Sequence, residues 1–207
     1  MGDKDQSARQ RKVRAAARRS ETVLPPYLPP VWFLTDDRRT PDAVGVAEQL
    51  PRGWGVIFRH RPGDDGIAAA GALAQVCRRG GLAFLVAHNP KLAMAVGADG
   101  VHWPEVMASA SRRWAGRFSI MTASAHSRAA LSKLAQLPLD AALRSVVFQS
   151  RSASAGTAMG PLKFRSERQR ARLPVYALGG VSDETAGRVA GVAGLAAIEG
   201  IAATFSG

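Results

Sequence analysis

The chain predicts a single-domain (β/α)8 TIM barrel, and three observations carry that prediction. Short apolar runs alternate with helical stretches eight times along 207 residues. The runs are almost continuously apolar, as strands covered on both faces of a parallel sheet must be, and polar residues gather at their ends. The junctions are tight and glycine-bearing, with Gly97-Ala98-Asp99-Gly100 as the clearest case. Glycine permits the backbone angles of such a turn, and aspartate can accept a hydrogen bond from the turn backbone. No Gly-x-Gly-x-x-Gly follows the first run, which argues against an open dinucleotide-binding sheet.

The elements follow in order. Leu24–Trp32 (LPPYLPPVW) is a proline-marked entry to the domain. Val31–Thr35 is strand 1, ending in Asp36-Asp37, and Pro41–Leu50 is a short helix. Trp54–Arg59 is strand 2. Asp64–Arg79 is an alanine-rich helix whose Asp64-Asp65 can cap its start. Leu82–Ala87 is strand 3, and Pro90–Val96 is a helix opened by proline. Gly100–Trp103 is strand 4, followed by a helix over Pro104–Trp114. Phe118–Thr122 is strand 5 and Ser127–Gln136 a helix. Leu143–Phe148 is strand 6, after which Ser150–Gly160 is a loop of small residues. A basic helix covers Pro161–Arg170. Pro174–Leu178 is strand 7, with a helix over Ser182–Val189 capped by Ser182. Leu195–Ile198 is strand 8, and Gly200–Phe205 a truncated helix.

The formal charge is +12. Seven of the basic residues lie among the first 20, against Asp3 and Asp5. Residues 1–22 hold few large apolar side chains, so they read as a disordered or frayed basic tail, with the barrel over 23–207. A basic arm can contact phosphates. No reader module or aromatic interleaving accompanies this one, which argues against a nucleic-acid partner. No run reaches the roughly 20 apolar residues that span a membrane. The single cysteine, Cys77, makes no internal disulfide, and it reads as a packed helix residue rather than a nucleophile. No apolar secretory core opens the chain, so the expected compartment is the cytoplasm. No Cys/His cluster has zinc-ligand spacing.

Five segments together resemble the thiamine phosphate synthase/TenI family. They are VWFLTD at strand 1, LAFLVAHNPKLAMAVGADGVHW at strands 3 and 4, SAHSRAAL at Ser124–Leu131, AMG at Ala158–Gly160, and PVYALGGV at Pro174–Val181. The resemblance covers most of Val31–Phe205. It implies a TIM barrel of thiamine biosynthesis that binds phosphorylated pyrimidine and thiazole small molecules, and it implies a homodimer.

The resemblance also implies site residues. The synthase's pyrophosphate-binding positions after strand 2 match Ile57, Arg59 and Arg61, so two cations remain and the glutamine does not. Its Asn-Asp-Arg after strand 3 matches Ala87, His88 and Asn89, and its second magnesium aspartate falls on Met107. A hard cation prefers oxygen ligands, so His88 and Met107 are poor magnesium positions and no metal ligand is assigned. Glu105, at a glutamine position, lies nearby. Ser124 and His126 fall on the motif in which TenI-type proteins carry a general base for thiazole tautomerisation. The phosphate-closing loop matches Ser150, Arg151 and Ser152. Gly160, Gly179 and Gly180 match backbone donors to the thiazole phosphate, while Glu199 replaces a serine there. His88 and His102 also end strands and can face the same mouth, whereas His60 is expected to be exposed. Three functions follow as alternatives: coupling of pyrimidine pyrophosphate to thiazole phosphate, thiazole tautomerisation through His126, or non-catalytic binding of a phosphorylated ligand.

Overall fold

A computed structural model describes residues 3–59, 66–150 and 156–206. Eight parallel strands close into a barrel in sequence order, β1 (Val31–Leu34), β2 (Gly55–Phe58), β3 (Ala83–Ala87), β4 (Gly100–Trp103), β5 (Ile120–Ala125), β6 (Ala141–Arg144), β7 (Val175–Leu178) and β8 (Gly194–Ala197), with β8 paired back to β1. Helices α2 (Ala43–Gln49), α3 (Ile67–Gly80), α4 (Pro90–Ala95), α5 (Arg128–Leu134), α6 (Pro161–Gln169) and α7 (Glu199–Phe205) cover the outside. The predicted (β/α)8 barrel is therefore the fold. Outward-facing Phe33, Val56, Phe84, Val86, Val101 and Trp103 pack with the helices in one core. Trp32, Ile57, Leu85, Ile120, Leu143 and Tyr176 fill the barrel itself. None of the described helices is long and apolar enough to cross a membrane.

Inside the barrel, large and small residues alternate across registered strands. Trp32 pairs with Gly55, and Tyr176 with Gly194. A Cβ on either glycine would lie 2.2 Å from the neighbouring ring. The two aromatic rings meet edge-on with centroids 6.3 Å apart. The Tyr176 hydroxyl donates to the Pro29 carbonyl at 2.7 Å, tying the proline-rich entry segment to the barrel. Carboxylates fix two strand starts. Asp99 accepts from the Phe84 N–H at 2.8 Å, and Asp140 from the Met121 N–H at 2.7 Å. The turn aspartate thus bonds backbone of the neighbouring strand rather than of its own turn.

Five expectations are corrected. Residues 3–21 are not a loose tail but a helix, α1 (Asp3–Glu21), lying against β8, α7 and the turn at Ala186–Arg188. Val13, Ala16, Ala17 and Ser20 are buried along it. Their spacing of three and four residues makes one buried stripe, which large-residue counting overlooks because three of its four residues are alanine or serine. The segment after β7 makes only a three-residue 3-10 turn, Ala186–Arg188, instead of a helix over Ser182–Val189. Helix α1 occupies the adjoining wall. Glu105–Trp114 is a 3-10 helix, and its buried residues Ala108 and Ser111 are three apart, the repeat of that helix. Strand β5 begins and ends later than expected, because Asp99 O receives the Ser119 and Ile120 N–H groups and alternation then runs on through Thr122 and Ser124. Strand β6 begins earlier, at Ala141, directly after the Asp140 clamp. The cap at Asp64-Asp65 lies outside the described residues.

The docking of α1 is testable. Val13→Asp places an unpaired carboxylate at a 1 % exposed position and should cost about 3 kcal/mol or more in urea unfolding. Ala15→Asp, on the exposed face, should change stability by no more than about 0.5 kcal/mol. Equal, small effects of both would show that α1 does not pack on the barrel.

Candidate active site

The C-terminal strand ends surround a cavity of about 310 Å³. The residues facing it are small or polar where the barrel below is aromatic. Leu34, Ala87, Leu178 and Ile198 supply its apolar wall, and Arg39, Arg59, His88, His102, Ser124, His126, Ser145, Ser150 and Gly179 its polar groups. Of the residues singled out in the sequence, Arg59, His88, His102, Ser124, His126, Ser150 and Gly179 are brought together here. Gly180 lies in an adjoining cavity of about 450 Å³ formed by the loops after β7 and β8.

Others are elsewhere. Asn89 is turned to the start of α4, where its side-chain oxygen accepts from the Leu92 N–H at 3.0 Å. That cap is its position, and it does not line the cavity. Gly160 precedes α6 and donates its N–H to the Val147 carbonyl. Met107 is 43 % exposed and does not line the cavity either. His60, Arg61, Arg151 and Ser152 lie outside the described residues.

One wall is cationic. Asp36, at the end of β1, joins Arg39 at 2.7 Å and Arg59 at 3.3 Å. The hydrogen bond from Arg39 is the main reason its carboxyl is held down at about 2, and burial opposes it. Burial pulls the Arg59 guanidinium below its ordinary pKa, with Asp36 acting against that pull. The Arg59 backbone N–H donates to the Thr35 hydroxyl at 2.9 Å, which fixes the strand-end geometry. Glu199 stands 3.9 Å from Arg39, so its carboxylate is paired at the mouth.

The opposite wall carries imidazoles. His102 is buried, with Nδ1 2.8 Å from the Thr122 hydroxyl and Nε2 3.0 Å from the Ser124 hydroxyl. Thr122 is fully buried and has no other acceptor for its hydroxyl hydrogen among the described residues. An unused buried donor is costly, so Thr122 donates to Nδ1. Nε2 then carries the proton and donates to Ser124, leaving the Ser124 hydroxyl hydrogen to face the cavity. His126 is the more accessible ring. Its Nδ1 is 3.0 Å from the Ser145 hydroxyl, and its backbone N–H donates to Glu105 at 2.6 Å. Glu105 therefore reaches the site through the backbone. Arg39, Thr122 and Ser145 were not singled out in the sequence. Arg39 lies outside the strands, Thr122 is one turn of the pleat below Ser124, and Ser145 follows β6 without a motif.

Residues 33–201 match a protein-family model described as thiamine monophosphate synthase. The chain belongs to that family. Among curated members, the thiamine-phosphate synthase of Chromobacterium violaceum is 32% identical over 190 residues, covering 86% of this chain and 90% of that one. The thiamine-phosphate synthase of Methylococcus capsulatus is 27% identical over 183 residues, covering 83% and 81%. The solved thiamine phosphate pyrophosphorylase from Pyrococcus furiosus superposes with a TM-score of 0.71 at 22% identity, covering 85% of this chain and 91% of that one. At that identity the superposition speaks for the barrel itself. Helix α1 precedes the stretch that the family model matches.

His102 gives the site a measurable pH signature. Burial, with Arg59 and His88 adding to it, pulls the imidazole down to about 3. A histidine in the unfolded chain titrates near about 6.5. Between those values the unfolded chain binds a proton that the folded chain refuses. The stability that His102 confers is thus complete above about pH 6.5 and is lost as pH falls toward about 3. The slope is up to about 1.4 kcal/mol per pH unit. In urea unfolding at pH 7, 5.5 and 4.5, wild type should lose stability more steeply than His102→Gln. Parallel curves would show that this ring is not held neutral.

Proposed function

We propose that this chain acts in thiamine biosynthesis on a phosphorylated thiazole, and that its chemistry is proton transfer through His126. The observation that carries the reading is the His126–Ser145 contact at the edge of the cavity. A serine hydroxyl can donate to Nδ1 or accept from it. Either imidazole tautomer is therefore supported, and the ring can take a proton from one ligand atom and return one to another. Tautomerisation of a thiazole carboxylate phosphate needs that exchange and no redox partner. Arg59 and Arg39 supply cationic charge for the anionic ends of the ligand. Ser124, oriented by neutral His102, offers a hydrogen-bond donor on the facing wall.

Magnesium enters by resemblance to the family, and the side chains at its positions suit it poorly. His88 and Met107 are not hard oxygen donors, and Glu105 is engaged by the His126 N–H. Among the described residues, no three of His, Cys, Asp and Glu converge as a metal site.

A second reading keeps the coupling of pyrimidine pyrophosphate to thiazole phosphate. It is favoured by Arg59 at the mouth and by the names of the curated relatives. A binding protein without catalysis is the third. Two assays separate them: aromatisation of the thiazole carboxylate phosphate tautomer followed by absorbance, and thiamine phosphate formation from both synthase substrates with magnesium. The first should proceed above buffer, and His126→Ala should slow it by roughly 100- to 10,000-fold with the fold intact. Product in the second assay alone would establish coupling. Ligand binding with neither product would establish the binding protein. A rate that survives His126→Ala would move the proton to His88.

A further inference from the structure

On the outer wall of the barrel, between α5 and α6, lies a second cavity of about 320 Å³ that shares no residue with the mouth. Arg128 reaches it from the first turn of α5, and Arg170 and Arg172 from the end of α6. All three are exposed, and none pairs with a carboxylate among the described residues. Arg170 instead donates to the Ser166 hydroxyl at 2.6 Å. The acid that lines this cavity, Glu167, is already used. It is buried, and its carboxylate accepts from Arg144 Nε at 2.8 Å. The three outer guanidiniums therefore stand around a concave surface with their positive charge uncompensated. Guanidiniums in that arrangement match the oxygens of a multiply charged phosphate ester or polyphosphate.

The same residues lead back to the mouth. Arg144 closes β6, holds Glu167 through Nε and donates through Nη1 to the Ser145 carbonyl. The Ser145 hydroxyl in turn meets His126 Nδ1. Ser127, the residue after His126, caps α5, and Arg128 is its first helical residue. An anion drawn to Arg128, Arg170 and Arg172 repels the Glu167 carboxylate beside it and changes the field that holds Arg144. We propose that this groove is a second anion site, for a ligand carrying two or three linked phosphates, and that its occupancy reaches His126 through Glu167, Arg144 and Ser145.

The test uses the full chain with Arg39→Ala and Arg59→Ala, which removes both guanidiniums of the mouth's cationic wall, and inorganic tripolyphosphate as the probe. Calorimetry should show binding that weakens with added salt. Adding Arg170→Ser and Arg172→Ser should weaken it by about tenfold or more for each lost guanidinium. Arg128→Ser, from the other helix, should weaken it independently. All three residues are exposed, so melting temperatures should stay the same and serve as the folding control. The His126 ring resonances, assigned by their loss in His126→Gln, should move during the titration and stay fixed in the Arg170→Ser/Arg172→Ser chain. Equal affinity with and without the three arginines would overturn the site. Unmoved His126 resonances at saturation would overturn its connection to the mouth.

Discussion

The uneven filling of the barrel interior decides where this protein can hold a ligand. A closed eight-stranded barrel is just wide enough for side chains to fill it. Here the N-terminal half is filled by Trp32 and Tyr176, each lying over a glycine of the next strand. Adding a Cβ at Gly55 or Gly194 would drive an atom into an aromatic ring, so ring and glycine are a single packing unit. The C-terminal half has the opposite composition: Ala87, Ser124, Gly179 and the turn after β6 leave room, and the mouth cavity is that room. Filling the lower half with aromatic rings and leaving the upper half open thus places the site at one end of the barrel.

The same asymmetry controls the electrostatics. His102 sits at the boundary between the packed and open halves, where burial forbids its charged form and two hydroxyls satisfy both ring nitrogens. Farther out, Arg59 and Arg39 carry their charge beside Asp36, which lies between them. Proceeding outward, the polar groups pass from neutral and fully bonded to charged and partly solvated. A ligand entering from the mouth meets cations first and neutral donors last, which suits a molecule with an anionic end and a neutral ring.

The period of apolar runs made the barrel readable from the sequence, because parallel strands buried on both faces leave an unambiguous pattern. Strand β4 and the starts of α4 and α6 were legible to the residue, each being marked by glycine or proline. The two strand errors have a common cause. The registers of β5 and β6 are set by the Asp99 carbonyl and the Asp140 carboxylate acting across strands, contacts that no local window contains. The mouth residues legible in sequence were strand-end histidines and Arg59, with Ser124, Ser150 and Gly179 marked by the family resemblance. Thr122 and Ser145 matter through what they orient, Arg39 lies off the strands altogether, and hydroxyls and surface arginines of that kind are indistinguishable from others until the fold brings them to a ring or a carboxylate. Asn89 shows the converse, since a polar residue at a strand end can be spent entirely on capping the next helix.

Helix α1 carries this lesson into the charge pattern. As a sequence, its arginines and lysines suggest a solvated basic arm. In the fold several of them have definite partners. Arg19 donates to the Ala190 carbonyl at 3.1 Å, Lys12 lies 3.8 Å from Asp183, Arg9 pairs with Asp5, and Arg14 rests over the Phe205 ring with 5.7 Å to its centroid. Long basic side chains can cover apolar surface with their stems while their heads stay wet. That is the role open to them here, because the segment after β7 forms only a 3-10 turn and leaves β8 and α7 in need of cover. Alanines make the close approach and arginines spread over its margins. Net charge by itself therefore says little about the partner of this segment, whose nearest partner is the barrel wall.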